Sequence, residues 1–156
     1  MRVMFVCTGN TCRSPLAEAI ARDLASRRQL PDLQFESAGT SAWDGAPASD
    51  GAMLVGLERS LDLNQHRARQ LSRDLVESAD LVLAMGPHHL ERIEALGGTG
   101  KAYLLRAFAS RGADSRAISD PFGGDLEIYR GAVEELTREI ERVFDRLGSG
   151  SASSSS

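Results

Sequence analysis

The residues with the clearest chemical potential lie in one short segment near the N-terminus, residues 7–15, which reads C-T-G-N-T-C-R-S-P. Cys7 supplies a thiol that becomes a strong nucleophile once it is deprotonated. Arg13 follows six positions later, and its planar guanidinium matches two oxygens of a phosphate group. A cysteine and an arginine at this spacing also occur by chance, so the surrounding residues decide the interpretation.

These surroundings indicate an anion site. Residues 2–7 are mostly apolar and predict a short buried strand, and a helical pattern follows the loop. The loop therefore opens a helix, whose free N–H groups and dipole attract an anion. Gly9 and Asn10 accept left-handed conformations that turn successive N–H groups inward. The same field stabilises a thiolate at Cys7, and Ser14 is placed to donate a hydrogen bond to the sulfur.

Strand and helix patterns alternate along the rest of the chain. The alternation predicts an α/β fold, a three-layer sandwich with a central four-stranded parallel sheet flanked by helices and a phosphate-binding loop after strand 1. Ligands bind such sheets at the carboxyl ends of the strands. The predicted strands are residues 2–7, 33–37, 79–85 and 101–105. The predicted helices are residues 15–28, 48–61, 72–78, 87–96 and 126–147, and residues 110–125 are a predicted loop. In the first helix, Ser14 is the expected N-cap and Pro15 the first helical residue.

Length and composition fit one domain with a short appended tail. The chain has 156 residues, of which 42% are hydrophobic and 26% are charged, as in ordinary globular proteins. We assign the domain to residues 1–147. Residues 148–156 are glycine and serine apart from Ala152, and a segment with so little to bury is expected to be disordered.

Charge and apolar content bound the partners and the location. A net charge of −4 argues against a nucleic-acid binder, which normally carries a basic excess. No segment approaches the ~20 apolar residues of a membrane span, and the first apolar run is shorter than the ~7–15 residues of a signal peptide core. We expect a cytoplasmic monomer without nucleic-acid or membrane partners. Cys7 and Cys12 should then be thiols, and no zinc site is indicated.

The sequence also resembles a known family. The string C-T-G-N-T-C-R-S-P resembles the phosphate-binding loop of the low-molecular-weight protein tyrosine phosphatases and their bacterial relatives. Further matches follow in the family's order: E-S-A-G-T at 36–40, H-R-A-R-Q-L at 66–71, A-D-L-V at 79–82 and D-P-F-G at 120–123. The resemblance implies a cysteine-dependent protein phosphatase that works without a cofactor or metal, through a phosphocysteine on Cys7 with Arg13 as the clamp. The phosphate would be bound by the loop residues Thr8, Gly9, Asn10, Thr11, Cys12 and Ser14.

The same resemblance implies roles for residues outside the loop. Asp120, which precedes Pro121, would be the general acid that protonates the leaving group and later activates water. On its own, Asp-Pro is also a common turn opener. Ser37 and His66 would join Asn10 and Ser14 in a hydrogen-bond network that holds the loop in shape.

The second cysteine has two possible roles. In similar enzymes, a cysteine at the position of Cys12 forms a reversible disulfide with the nucleophile, which protects it from over-oxidation. A thiol simply buried in the loop explains the residue equally well.

Three residues bear on which phosphorylated side chain is bound. Phosphotyrosine members usually carry a bulky aliphatic residue at the position of Thr11, whereas relatives that act on phosphoarginine carry threonine. Phe122 stands where tyrosine-specific members have a tyrosine. Trp43 matches an aromatic wall that could stack on a phosphotyrosine ring or cover a guanidinium. The pattern favours phosphoarginine in phosphorylated protein substrates, with phosphotyrosine as the alternative.

Two other classes remain as rivals. A thioredoxin-coupled arsenate reductase uses a very similar loop, but it needs further cysteines, and none follows Cys12. A non-catalytic phosphate-binding module predicts the loss of the nucleophile, the arginine or the acid, and all three are present. Metal-assisted hydrolysis is not indicated, because the loop supplies the positive charge that a metal would provide.

Overall fold

The strand that leads into the phosphate-binding loop lies inside a four-stranded parallel sheet. The computed structural model describes the backbone of residues 1–155 and the side chains of residues 1–148. The strands are β1 (Arg2–Cys7), β2 (Gln34–Gly39), β3 (Leu81–Ala84) and β4 (Ala102–Leu104), in the spatial order β2-β1-β3-β4. All neighbouring pairs are parallel. The predicted α/β class and strand number are confirmed.

Helices cover both faces of the sheet, as the mostly buried strands require. Alternate residues of β1 face opposite layers, with Val3 and Phe5 in one apolar cluster and Met4 and Val6 in the other. The first cluster also contains the apolar residues of the first and last helices, so the predicted three-layer sandwich is confirmed. The helices are α1 (Arg13–Arg27), α2 (Asp50–Glu58), α3 (Arg73–Ser78), α4 (Pro87–Ile93), α5 (Leu105–Ala109) and α6 (Leu126–Ser155), and a π-helical turn, Glu94–Gly98, follows α4.

Several predicted boundaries were wrong. α1 begins at Arg13, and its N-cap is Cys12 without a side-chain cap; the predicted cap, Ser14, lies inside the helix because its hydroxyl faces the sulfur of Cys7. Helix α5 was not predicted, since its five residues are too few to show a period. The predicted helix at 48–61 is limited to Asp50–Glu58, where Ser49 provides the N-cap.

The C-terminal region lies partly outside the described residues. One face of α6 is apolar, with Val133, Leu136, Ile140 and Val143 all buried, whereas Ile128 near its start is 52% exposed and does not join this face. The described backbone continues α6 to Ser155, beyond the predicted helix end at residue 147. The side chains after residue 148 lie outside the described residues, and the predicted disorder of residues 148–156 stays a prediction. Across the described residues, no helix is both long and apolar enough to cross a bilayer.

The carboxyl ends of the central strands bring the loops of the site together. The Thr40 N–H donates to the Cys7 carbonyl at 2.9 Å, which ties the segment after β2 to the end of β1. Gly39 lies so close that a Cβ there would meet the Thr8 carbonyl at 2.4 Å. The Ile118 N–H donates to the Met85 carbonyl at 2.8 Å and ties the distant loop to the end of β3.

Candidate active site

Cys7 lies at the bottom of a small cavity at the end of β1. Cys7 is only 3% exposed, and its Sγ lies 2.9 Å from Ser14 Oγ. A hydroxyl at this distance stabilises a thiolate by donating a hydrogen bond to it. The cavity has a volume of about 220 Å³ and is lined by Cys7, Thr8, Gly9, Thr11, Cys12, Arg13, Asp120 and Phe122.

Asn10 organises the loop from beneath. It is fully buried and has a left-handed backbone with φ of 56°. Its Nδ2 donates to Ser14 Oγ at 2.8 Å and to Ser37 Oγ at 3.0 Å, and its Oδ1 accepts from the Arg69 N–H at 2.9 Å. Asparagine tolerates this conformation better than most residues. Its side chain therefore braces the loop from below and does not line the cavity, although sequence reasoning had placed it among the substrate-binding residues.

A second ring of contacts surrounds Asn10. Ser37 Oγ donates to Glu18 Oε1 at 2.6 Å, and His66 Nε2 lies 2.7 Å from the Asn10 carbonyl oxygen. The structure therefore brings Ser37 and His66 to the loop, while Glu18 and Arg69 had not been singled out. Such buried, mutually satisfied polar groups hold one loop conformation.

Arg13 is held between the cavity and the loop that follows α5. It is only 5% exposed, and its Nη1 donates to the Ile118 carbonyl at 2.9 Å. Its Nη2 lies 3.5 Å from Asp120 Oδ2. One edge of the guanidinium is thus fixed, and the other lines the cavity, where an anion can be bound.

Asp120 is the most accessible of the charged cavity residues. Its side chain is 53% exposed, and its Oδ1 accepts from the Phe122 N–H at 3.0 Å. This is the turn-opening arrangement typical of Asp-Pro, and it coexists with the position on the cavity wall. A carboxyl group open to solvent on one side can exchange protons with water while it faces the sulfur side of the cavity.

A buried ionic network fixes the loop just before Asp120. Glu135 of α6 accepts from the Ser119 N–H at 3.1 Å and is bound by Arg106. Arg106 also donates to Glu139, which is 1% exposed, at 2.9 Å. Sequence reasoning missed these residues because each resembles an ordinary helix charge. The only signal was a pair of glutamates four positions apart in the predicted helix 126–147.

Cys12 lies against two hydroxyl groups on the far side of the loop. Its Sγ lies 3.3 Å from Ser49 Oγ and 3.4 Å from the Tyr129 hydroxyl. The pKa of Tyr129 is raised, mainly by burial and secondly by its hydrogen bond with Cys12. Both cysteines are free thiols here. The contacts of Cys12 are those of a buried loop thiol, and the redox role stays a prediction.

Two further predicted features differ from the structure. Trp43 is 85% exposed and does not line the cavity, whereas Phe122, 75% exposed, does. Gly9 lines the cavity but has no positive φ, so Asn10 alone supplies the left-handed residue of the loop. The bend needs a single residue in that conformation, and the network around Asn10 selects it.

Comparison with known proteins agrees with this geometry. The family model for low molecular weight phosphotyrosine protein phosphatase matches residues 2–152. The chain belongs to this family. Its α/β sheet, its loop after β1 and its motifs are those of a phosphatase, a hydrolase of phosphate groups.

Individual relatives are similar over nearly their full length. A protein-arginine-phosphatase from Geobacillus stearothermophilus is 40% identical over 148 residues, which cover 94% of this chain and 95% of that protein. A low molecular weight protein-tyrosine-phosphatase, PtpB, from Staphylococcus haemolyticus is 38% identical over 145 residues, covering 92% of this chain and 97% of that protein.

Solved structures show the same fold. The YwlE arginine phosphatase from Geobacillus stearothermophilus superposes with a TM-score of 0.88 at 37% identity, covering 97% of this chain and 96% of the other. A Cys-to-Ser mutant of a YwlE arginine phosphatase, phosphorylated on its active-site serine, gives a TM-score of 0.89 at 35% identity, with 95% and 96% covered. Phosphorylation at that position in the relative is consistent with a cysteine-based mechanism in the family.

Proposed function

We propose that this phosphatase removes the phosphoryl group from phosphorylated proteins through a phosphocysteine on Cys7. The observation that carries the proposal is that Cys7, Arg13 and Asp120 line one cavity of about 220 Å³. That volume holds a phosphoryl group and the end of one side chain. Nucleophile, clamp and acid therefore meet the same small group.

The geometry supports two successive steps. In the first, the thiolate of Cys7 attacks phosphorus and forms the S–P bond, while the bond from phosphorus to the leaving atom breaks. Its electron pair goes to the leaving atom, which takes the proton of Asp120. In the second, the Asp120 carboxylate takes a proton from water, whose oxygen attacks phosphorus. The S–P bond then breaks, and its electron pair returns to Cys7.

Arg13 and the loop supply the charge that this transfer needs. Phosphoryl transfer depends mostly on positioning and on neutralising the equatorial oxygens. The guanidinium is anchored by the Ile118 carbonyl, so it loses little freedom when it binds an oxygen pair. Ser14, at 2.9 Å from Cys7 Sγ, stabilises the sulfur anion before attack and again when it leaves.

We infer that phosphoarginine is the preferred substrate side chain. Two curated relatives of this chain, from Geobacillus stearothermophilus and Bacillus subtilis, are protein-arginine-phosphatases. Thr11 and Phe122 both line the cavity, which places a hydroxyl and an apolar ring near the entering side chain. A hydroxyl suits a guanidinium, which offers several N–H donors. Trp43, which could cover either substrate side chain, lies outside the cavity lining and does not separate the two.

Phosphotyrosine remains the second candidate. The similarity to PtpB of Staphylococcus haemolyticus, a protein-tyrosine-phosphatase, is almost as high as that to the arginine phosphatases. The same cavity and the same three residues would act on either substrate, because the nucleophile and clamp contact only the phosphoryl group. The distinction therefore depends on the walls at Thr11 and Phe122.

A side-by-side assay separates these functions. Phosphate release is measured from matched phosphoarginine and phosphotyrosine peptides, with Cys7→Ser as the blank. We expect a strong preference for phosphoarginine that is lost in the blank. Thr11→Val, which keeps the shape and removes the hydroxyl, should reduce that preference. A preference for phosphotyrosine would contradict the substrate assignment but not the mechanism. A folded protein that is inactive on both peptides would favour a non-catalytic binding module.

We also propose that the enzyme acts as a cytoplasmic monomer. Support comes from Cys7 and Cys12, which are free thiols in the structure, as expected in a reducing compartment. A net charge of −4 supports protein substrates over nucleic acid. Light scattering on a size-exclusion column checks the monomer, and a mass near twice the 16.8 kDa of one chain would contradict it.

A further inference from the structure

His89 is a buried histidine that contacts the phosphate-binding loop. It lies in α4, just after β3, and its residue has no exposed surface. Its Nε2 lies 2.8 Å from Thr8 Oγ1. Thr8 directly follows Cys7 and lines the catalytic cavity. His89 is therefore fully buried and contacts the residue next to the nucleophile, so it can act on the reaction through Thr8.

The other ring nitrogen of His89 selects the tautomer. His89 Nδ1 is buried and has no hydrogen-bond partner among the described residues. A proton on Nδ1 would leave a buried N–H donor unpaired, which native proteins almost never tolerate, whereas an unpaired acceptor lone pair is less costly. The proton therefore belongs on Nε2, where it is donated to Thr8 Oγ1.

The surroundings also keep the ring neutral. Burial is the main cause that lowers the pKa of His89, and with the charges of His88 and Arg13, against an opposite effect of Asp120, it brings this pKa to about 4. The His88 ring lies against it at a tilt of 44°, with ring centroids 3.9 Å apart. At neutral pH, His89 thus carries one ring proton at a fixed position.

This tautomer determines what Thr8 can do. When Nε2–H donates to Thr8 Oγ1, the hydroxyl proton of Thr8 is not used by His89. Thr8 Oγ1 has no other hydrogen-bond partner in the part of the chain that the structure describes. The proton is then free to be donated into the cavity that Thr8 shares with Cys7 and Asp120. With the opposite tautomer, the hydroxyl would donate to His89 and be lost to the cavity.

We propose that His89 is a positioning residue that fixes Thr8 as a hydrogen-bond donor to the phosphoryl group being transferred. The inference rests on the proposed phosphatase mechanism, and it adds a donor outside the nucleophile, the clamp and the acid. Donors aimed at the phosphoryl oxygens before reaction stabilise the charge of the transition state at no cost of reorganisation.

The tautomer is tested directly on the resting protein. The chain has only three histidines, so ¹⁵N shifts of the ring nitrogens can be assigned with His88→Gln and His66→Gln. We expect the His89 Nε2–H tautomer throughout pH 6 to 8. Detection of the Nδ1–H tautomer, or of a charged imidazolium in this range, would overturn the proposal. This measurement does not depend on the substrate, so it stands even if the phosphoarginine assignment fails.

A double-mutant cycle tests the action through Thr8. Thr8→Val removes the hydroxyl and keeps the shape, and His89→Leu removes the donor. With p-nitrophenyl phosphate, we expect His89→Leu to lower kcat/KM about fivefold in the parent and less than twofold in the Thr8→Val background, in line with ~1 kcal/mol for one neutral hydrogen bond. Equal losses in both backgrounds, or no loss in the parent, would overturn the proposal.

A conservative variant separates positioning from packing. His89→Gln places an amide N–H2 near the position of Nε2 and should recover most of the activity that His89→Leu loses. Glu91→Gln, on an exposed residue of the same helix, serves as the matched control and should retain parent activity. If His89→Leu does not fold, His89→Met, which also lacks the donor, takes its place in the double-mutant cycle with Thr8→Val. Poor recovery in a folded His89→Gln protein would contradict the role of the donor.

Discussion

The two loops that form the cavity are stabilised in opposite ways. The loop after β1 is held from within, because Asn10, Ser14 and Ser37 are all buried and the Asn10 amide donates to both serines. The loop around Asp120 is held at its entrance, where Ile118 and Ser119 are anchored, and its carboxyl group is half exposed.

This difference follows from what each loop must do. The first loop binds an anion and stabilises a thiolate, so its donors must keep their directions without rearrangement. The second must deliver a proton and then accept one from water, which requires contact with solvent. Arg13 joins the two, since it belongs to the first loop and is held by a carbonyl of the second.

The largest expected effect comes from breaking the link between the loops. Arg13→Lys keeps the charge but cannot donate to the Ile118 carbonyl while offering a fork to two phosphate oxygens. We expect kcat/KM to fall about 10³-fold, near the upper limit for one preorganised donor. Steady-state assays on an aryl phosphate measure it. Arg116→Lys, on a side chain that is 78% exposed, is the control, and an active Arg13→Lys enzyme would contradict the clamp.

The accessible loop is tested at its carboxyl group. Asp120→Asn keeps the size and the hydrogen bond from Phe122 but removes the transferable proton. We expect a loss of about 10²-fold or more on peptides with a poor leaving group. 2,4-Dinitrophenyl phosphate has a good leaving group that needs little protonation. With this substrate, the rate constant of the first step, measured from the first-turnover burst, should fall much less. Asp114→Asn, in the same segment, is the control. A loss independent of the leaving group would argue against general acid catalysis.

The internally held loop is tested at its centre. Asn10→Ala removes the amide that joins Ser14, Ser37 and the Arg69 N–H, so each of these groups loses a hydrogen-bond partner. We expect the free energy of unfolding to fall by about 2–4 kcal/mol, together with about a tenfold loss of activity. Urea denaturation measures the stability. Asn10→Gly also removes the amide, but glycine adopts the left-handed backbone without strain. If Asn10→Gly is as stable as the parent, the side-chain network contributes little to the free energy of unfolding.

A smaller effect is expected at the anchor of the acid loop. Glu135→Ala removes the acceptor for the Ser119 N–H and one partner of Arg106. We expect about a tenfold loss in turnover of poor leaving groups, below the ~10²-fold that a misplacement of about 1 Å can cause. The exposed Glu134→Ala is the control. Equal losses for good and poor leaving groups would mean that Glu135 acts on stability alone.

The pH dependence of stability tests the buried histidine beside the first loop. The folded pKa of His89, about 4, lies below its ordinary value of 6.5. The unfolded chain therefore binds the extra proton first, and stability is lost as pH falls from about 6.5 towards 4. The difference between these two pKa values corresponds to about 3 kcal/mol. Urea unfolding of the parent should show a steeper fall between pH 6.5 and 5 than His89→Gln. Equal slopes would contradict a neutral buried ring.

Local sequence patterns were sufficient for the fold and for the first loop. Strand β1 is a continuous apolar run, and the cysteine, arginine and helix start follow within eight positions of its end, so their geometry is set by short-range chain connectivity. The cavity does contain Cys7, Arg13 and Asp120, as the motifs led us to expect.

The remaining support could not be read from the sequence because it depends on long-range contacts. His89 meets Thr8 across 81 positions, and Arg106 meets Glu139 across 33. In the sequence, His89, Arg106 and Glu139 look like ordinary polar helix residues, and only the fold shows that they are buried. The N-cap of α1 was wrong for a related reason, since the hydroxyl of Ser14 is used by the sulfur of Cys7 and the Asn10 amide.

The most direct test of the mechanism is to trap its intermediate. Asp120→Asn should slow hydrolysis of the phosphoenzyme, so rapid acid quench with a good leaving-group substrate should allow it to accumulate. Mass spectrometry of the digested protein then locates the phosphoryl group. The account predicts phosphorylation of Cys7 at close to one per chain, and none in the Cys7→Ala, Asp120→Asn double variant. Phosphate on Cys12 or on a histidine, or turnover without any phosphoenzyme, would contradict it.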